Sequence, residues 1–175
     1  MPLKKILILG PESTGKSTLA KDLANHFSEP WVPEYSREYL ENLTRDYDFE
    51  DLSTMAKGQL EAEKKAEELA KGVLFCDTDL RVIHIWSAHR FGKTSSWIVE
   101  EIETRVYDLI LLTDIDMDWE PDPLREHPEP EMRFYFFKKY LELAKSSGFP
   151  FEVISGSREE RLGKAISAIQ IHSKI

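Results

Sequence analysis

Residues 10–18 read GPESTGKST, with Gly10, Gly15, Lys16 and Ser17 in the spacing GxxxxGK(S/T) between an apolar run and an amphipathic segment. That is the pattern of a polyphosphate cradle. Gly10 and Gly15 let the backbone through Pro11, Glu12, Ser13 and Thr14 curl so that N–H groups face phosphate oxygens. The helix that follows, opening with Lys16, Ser17 and Thr18, adds the partial positive charge of its N-terminus. On this template Lys16 reaches the β- and γ-phosphates and the Ser17 hydroxyl ligates Mg²⁺. The loop alone therefore predicts ATP or GTP with Mg²⁺.

A carboxylate for the metal should end a neighbouring strand, and Asp77 does so directly after VLFC. Asp77, Thr78 and Asp79 are also good helix caps, and Asp79 stays open between a substrate contact and a cap. A guanine-specific protein is expected to carry Asn or Thr, then Lys, x and Asp, after its fourth strand. Here Thr113-Asp114-Ile115-Asp116 lacks the lysine, which favours ATP. The long, Pro-rich stretch TDIDMDWEPDPLREHPEPEMR holds Trp119, Arg125 and Arg133, and residues 114–133 read as a mobile lid that excludes water and brings arginines to the phosphates. A plain surface loop is the alternative. The acceptor side is expected at VPEYSREYLE, with Glu34, Tyr35 and Arg37. Glu34 is placed to take a hydroxyl proton, although a first-turn helix acid would sit at the same position.

These groups need a scaffold, and the hydrophobic pattern supplies one. Apolar runs at residues 5–9, 31–32, 73–76, 109–112 and 151–154 read as strands, the first, third and fourth as buried parallel ones. Amphipathic stretches at 16–27, 52–71, 79–90, 96–107, 131–146 and 159–171 read as helices. In the second of these, Met55, Ala56, Leu60, Glu63, Ala66, Leu69 and Ala70 form the inner stripe. Glu61–Lys65 and Glu67–Lys71 are i,i+4 pairs on the wet face, and Gly72 is a natural stop. Strands alternating with helices mean right-handed βαβ units and a parallel sheet covered on both faces.

Composition bounds the rest. The chain has 175 residues, 41% of them hydrophobic, which is one compact domain's worth, so residues 1–175 are expected to form a single unit. The net charge of −9 and the lack of a basic run argue against nucleic acid and anionic membrane as partners. The N-terminal apolar stretch is broken by Gly10 and Pro11 before a signal peptide or membrane span is complete. The single cysteine, Cys76, lies in an apolar run, which suits a buried thiol in a reducing cytoplasm. His84 and His89 are five apart and share no helix face as metal ligands would, so Mg²⁺ is the one metal expected.

GPESTGKSTLA, VPEYSREYLE, FCDTDL and DWEPDPLRE, spread over residues 10–126, together resemble the ribosylnicotinamide kinase domain of NadR-type NAD-biosynthesis proteins, a P-loop kinase family. ISGSREERLGKAI, residues 154–166, is similar to that family's adenine-side loop and last helix. The resemblance implies an α/β, three-layer, nucleoside-kinase-like P-loop fold, with a parallel five-stranded sheet, helices on both faces and a mobile lid. It implies ATP and Mg²⁺ as cofactors, and phosphorylation of the 5′-hydroxyl of nicotinamide riboside to give nicotinamide mononucleotide. Residue by residue, Gly10, Gly15, Lys16, Ser17 and Thr18 match the triphosphate loop, Asp77 the metal acid, Arg125 and Arg133 the lid, and Glu34 the acid after the second strand. Glu34 is favoured over Asp77 as the base. NadR-type proteins also carry an adenylyltransferase domain, and some a helix-turn-helix. This chain begins at the phosphate-loop strand, so adenylyl transfer and repression are not carried over.

A cationic nicotinamide ring favours aromatic faces and carboxylates. Tyr35, Tyr39, Trp86 and Trp119 border the expected acceptor region beside Glu34, Asp77 and Asp79. Trp86 also reads as core from its spacing to Val82 and Ile83, which makes Trp119 the better stacking candidate. Two other readings stay open: a kinase of another nucleoside or small alcohol, and a nucleotide-binding regulatory protein without a small-molecule acceptor.

Overall fold

The computed structural model describes residues 2–173, so the outermost positions of the expected 1–175 unit lie outside the described residues. Five strands, β1 (Lys4–Leu9), β2 (Trp31–Val32), β3 (Val73–Asp77), β4 (Leu109–Thr113) and β5 (Phe151–Ile154), form one sheet in the order β2-β3-β1-β4-β5, with every pair parallel. Seven helices surround it: α1 (Lys16–Phe27), α2 (Tyr35–Glu41), α3 (Phe49–Leu69), α4 (Leu80–Phe91), α5 (Ser96–Thr104), α6 (Pro130–Ser146) and α7 (Arg158–Ser173).

β1 is the central strand and is buried on both faces. Ile6 and Ile8 pack with Leu19 and Leu23 of α1 and Ala165 and Ile169 of α7. Leu7 and Leu9 pack on the other side with Val82 and Ile85 of α4 and Phe136 and Tyr140 of α6. A third cluster joins α3, α4 and α5 through Leu52, Met55, Leu80, Ile83 and Ile98. The strand order reverses at β1: the chain goes from β1 out to the edge strand β2, comes back inward through β3, then crosses β1 to add β4 and β5 on the other side. In parallel sheets the crevice at such a reversal, beyond the C-terminal strand ends, is where ligands sit. The phosphate loop, Asp77 and Asp114 all emerge there.

Some boundaries differ from the periodicity. α2 is a helix that the sequence pattern did not mark, because seven residues hold too little of an apolar stripe. On α3 the buried stripe runs through Met55, Gln59, Glu63 and Ala66; Leu69 falls beside it and is 71% exposed. α5 ends at Thr104 rather than at Tyr107, because Arg105 turns extended and is drawn inward by Glu63 and Tyr107. The stretch expected as the lid is not irregular throughout 114–133. Pro130 opens α6, so Arg133 stands on a helix and the irregular stretch is 114–129.

Candidate functional site

The C-terminal end of β1 turns into the phosphate loop through Gly10, whose φ is +150°. A Cβ there would lie 2.1 Å from Thr113 Oγ1, so only glycine lets the loop cross the end of β4. Under the loop, the Thr14 hydroxyl lies 2.7 Å from both Pro11 O and Thr113 Oγ1. Gly15, at φ +75°, is the N-cap of α1 and brings no side-chain oxygen, leaving the first-turn amides available to an anion. Lys16 Nζ lies within the loop and donates to Pro11 O at 2.7 Å. From α7, buried Arg161 donates to Thr14 O at 2.8 Å, Gly156 O at 2.8 Å and Asp114 O at 3.2 Å, and pairs with Asp116. One guanidinium thus ties the phosphate loop to the loops after β4 and β5. Nothing in the local spacing of residues 154–166 marks Arg161; apart from nearby Gly156, its partners Thr14, Asp114 and Asp116 are distant in the chain.

Asp77 is buried at the end of β3, in register with Ile8. Its Oδ2 accepts the Ser17 hydroxyl at 2.5 Å, while Oδ1 is buried with no partner among the described residues. Burial, then the negative charge of Glu34, pushes this carboxyl up to about 6, against the opposing charge of Lys16. A hydroxyl, an unpaired carboxylate oxygen and excess negative charge at one point fit a divalent cation.

Asp79 does not belong to this group. Thr78 adopts a left-handed backbone, φ +72°, that turns the chain between the two acids. Asp79 caps α4 by accepting Arg81 N at 2.9 Å, and it is buried against Arg81 and the Tyr107 hydroxyl. Of the two roles open to it, the structure therefore assigns the cap.

A cavity of about 410 Å³ runs from the phosphate loop past Glu34 to Trp86, Phe136 and Tyr140. Arg37, Trp119, Arg125 and Arg133 line it as well. Glu34 is the N-cap residue of α2 but makes no capping bond; its side chain instead accepts the Ser36 hydroxyl at 2.7 Å. The stretch expected as the lid lies against the loop: Ser13 Oγ accepts Glu120 N at 2.9 Å and Arg125 Nη1 at 3.3 Å, and Ser13 O accepts Arg133 Nη2 at 3.3 Å. Arg133 also stacks over Trp119 at 5.8 Å. Arg37 reaches the lid through an ion pair with Asp122.

Two aromatic expectations are corrected. Tyr35 lies over Gly58 of α3, where a Cβ would be 2.0 Å from its ring, and it is absent from the cavity wall. Tyr39 likewise turns to Asp51, donating its hydroxyl at 2.7 Å. Both point to α3 because α2 packs on that helix. Trp86, in contrast, lines the cavity. His127 and Phe136 stack near-parallel to it at 5.6 and 5.2 Å and lie 5.1 Å from each other. His89 also lies edge-on to Trp86 at 6.4 Å. A smaller annexe of about 80 Å³ opens beside it, with Glu12, Glu34, Glu126, Tyr47 and Leu124 among its walls. Ser36, His127, Phe136 and Tyr140 were not singled out from the sequence, because their meeting depends on how α2, α6 and the lid converge.

A phosphate loop at the reversal of a parallel sheet, with a metal-suited carboxylate beside it, defines a P-loop nucleotide-binding protein. Residues 5–161 match the AAA domain family, and the chain belongs to it. The relation to NadR proteins drawn from the motifs also holds. The chain is 29% identical over 153 residues to the trifunctional NAD biosynthesis/regulator protein NadR of Salmonella typhimurium (strain LT2), covering 85% of this chain and 37% of that protein. It is 28% identical to NadR of Escherichia coli (strain K12) over the same shares. It therefore spans little more than a third of the curated relatives it matches. A solved NadR protein in complex with NR superposes with a TM-score of 0.84 at 24% identity, over 98% of this chain and 52% of that one. Thymidylate kinase from Ehrlichia chaffeensis shares the fold at a TM-score of 0.67 and 16% identity, over 97% of this chain and 100% of that one. Among the described residues, no helix is long and apolar enough to cross a membrane.

Proposed function

We propose that the chain is an ATP-dependent kinase that phosphorylates the 5′-hydroxyl of a nucleoside, with nicotinamide riboside giving nicotinamide mononucleotide as the first choice. The kinase unit of this proposal spans residues 1–175, and its lid is the irregular stretch 114–129 with Arg133 on the first turn of α6. The observation that carries it is one continuous cavity with a phosphate loop at one end and Glu34, Trp86 and an acidic annexe at the other. Trp86 shares the annexe walls with Glu12, Glu34 and Glu126, and an aromatic ring among carboxylates suits a planar cationic ring better than a neutral or anionic one. The relation to NadR and to a NadR structure holding NR supports the same choice.

In this reading, the loop amides and Lys16 hold the triphosphate, and Ser17 and Asp77 hold Mg²⁺. When bound, the ion neutralises charge on the β- and γ-phosphates. Glu34 takes the proton of the 5′-hydroxyl as that oxygen bonds to the γ-phosphorus; the bond from phosphorus to the bridging oxygen breaks, and ADP leaves. Arg125 and Arg133 stabilise the charge on the transferred group and, with Trp119, close the site to water. Arg37 steadies the lid from the acceptor side.

The test is to incubate purified protein with ATP, Mg²⁺ and a panel of nucleosides, following ADP and product mass. Nicotinamide riboside should give the highest kcat/KM and a product heavier by one phosphoryl group. If no acceptor raises ADP release above basal hydrolysis, the kinase reading fails; if another nucleoside outpaces nicotinamide riboside, only the acceptor assignment does.

A further inference from the structure

The third residue of the phosphate loop does something the loop template does not ask of it. Glu12 carries its carboxylate away from the phosphate cradle: Oε2 accepts the backbone N–H of Glu126 at 3.1 Å and of His127 at 3.4 Å. Burial pushes this carboxyl up, while the two lid amides and the charges of Lys16 and His127 hold it down. Residues 126 and 127 lie in the irregular part of the lid and are followed by Pro128 and Pro130, which have no N–H of their own to offer.

We infer that Glu12 is a positioning residue: its carboxylate latches the lid onto the phosphate loop and so holds the lid arginines over the cavity. Among the described residues, the lid also meets α2 and α4 through the stack of His127 on Trp86 and through the ion pairs Arg37–Asp122 and Arg90–Glu126, whose arginines are 44% and 33% exposed. Exposed pairs of that kind contribute little. Amides bonded to a partly buried carboxylate are charge-assisted and contribute more. Ser13, the next residue, holds Glu120, Arg125 and Arg133. Consecutive loop residues thus clasp both ends of the lid, and whatever moves the phosphate loop moves the arginines with it. The catalytic consequence rests on the phosphotransfer reading; the latch itself does not.

The test uses the full chain in two arms. In amide hydrogen exchange without nucleotide, Glu12→Ala should speed exchange at residues 126 and 127 about tenfold, the loss expected for a hydrogen bond to a charged acceptor, while Glu12→Gln, whose carbonyl still accepts, stays within about threefold of the native rate. His127→Pro removes one of the two donors from the lid side and should speed exchange at Glu126, which keeps the question answerable if Glu12→Ala does not fold. In turnover, Glu12→Ala should raise the ratio of acceptor-independent ATP hydrolysis to transfer about tenfold, and Glu12→Gln should restore it. Unchanged exchange at 126 and 127 in Glu12→Ala overturns the latch. If the native protein phosphorylates no acceptor, the kinase reading fails, and the exchange arm still decides the latch.

Discussion

Asp77→Asn should make the ligand-free protein more stable while disabling it. Asp77 is 1% exposed, with one oxygen unpartnered, and its carboxyl is pushed from 3.8 up to about 6 by burial and by Glu34. A carboxyl that holds its proton more tightly when folded leaves the unfolded chain ionised first, so the folded state loses stability as pH rises from about 4 through 6. Above that range the loss amounts to about 3 kcal/mol, and near pH 4 it falls below about 1 kcal/mol. Asn is neutral throughout and its carbonyl can still accept the Ser17 hydroxyl, so the variant escapes the loss. For a chain of this length that corresponds to a melting temperature about 5–10 °C higher at pH 7.5 and nearly equal at pH 4. The measurement is thermal unfolding in chelator at both pH values, repeated with Mg²⁺ and ATP. Added Mg²⁺·ATP should stabilise the native protein and leave the variant nearly unmoved. A variant no more stable than native at pH 7.5, or equally stabilised at both pH values, would refute the electrostatic argument.

Other variants separate the two halves of the cavity. Glu34→Gln should lower kcat by about 10²–10⁴-fold and leave ATP affinity nearly intact, as read by steady-state kinetics beside calorimetric binding; full kcat would move the base elsewhere. Trp86→Ala should raise KM for a cationic nucleoside about tenfold with KM for ATP unchanged, because only the acceptor loses its stacking face. Arg161→Ala removes a charged donor from three backbone carbonyls and leaves Asp116 with the Gly156 N–H alone. It should cost about 3 kcal/mol in denaturant unfolding and weaken ATP more than acceptor.

Much of this protein was legible before folding. The cradle at residues 10–18 is local chemistry, since the glycines, Lys16 and Ser17 act through a backbone shape that a few adjacent residues set. The five strands were legible because each is an apolar run, and α1 because its stripe is complete within its own length. Asp77 followed from standing at a strand end. What the sequence left open or placed elsewhere shares one cause. Asp77 and Asp79 are two positions apart and chemically identical, and only the left-handed turn at Thr78 and the pull of Arg81 and Tyr107 decide which faces the loop. Tyr35 was lost and Trp86 gained because the orientation of α2 and α4 against their neighbours is settled by packing between distant segments. Sequence spacing determined the loop and the strand-end acid that are proposed as the donor half. The acceptor half, the Arg161 tie and the Glu12 contact with the lid were decided by tertiary structure, because their partners lie many residues away and meet only when the sheet brings its loops to one edge.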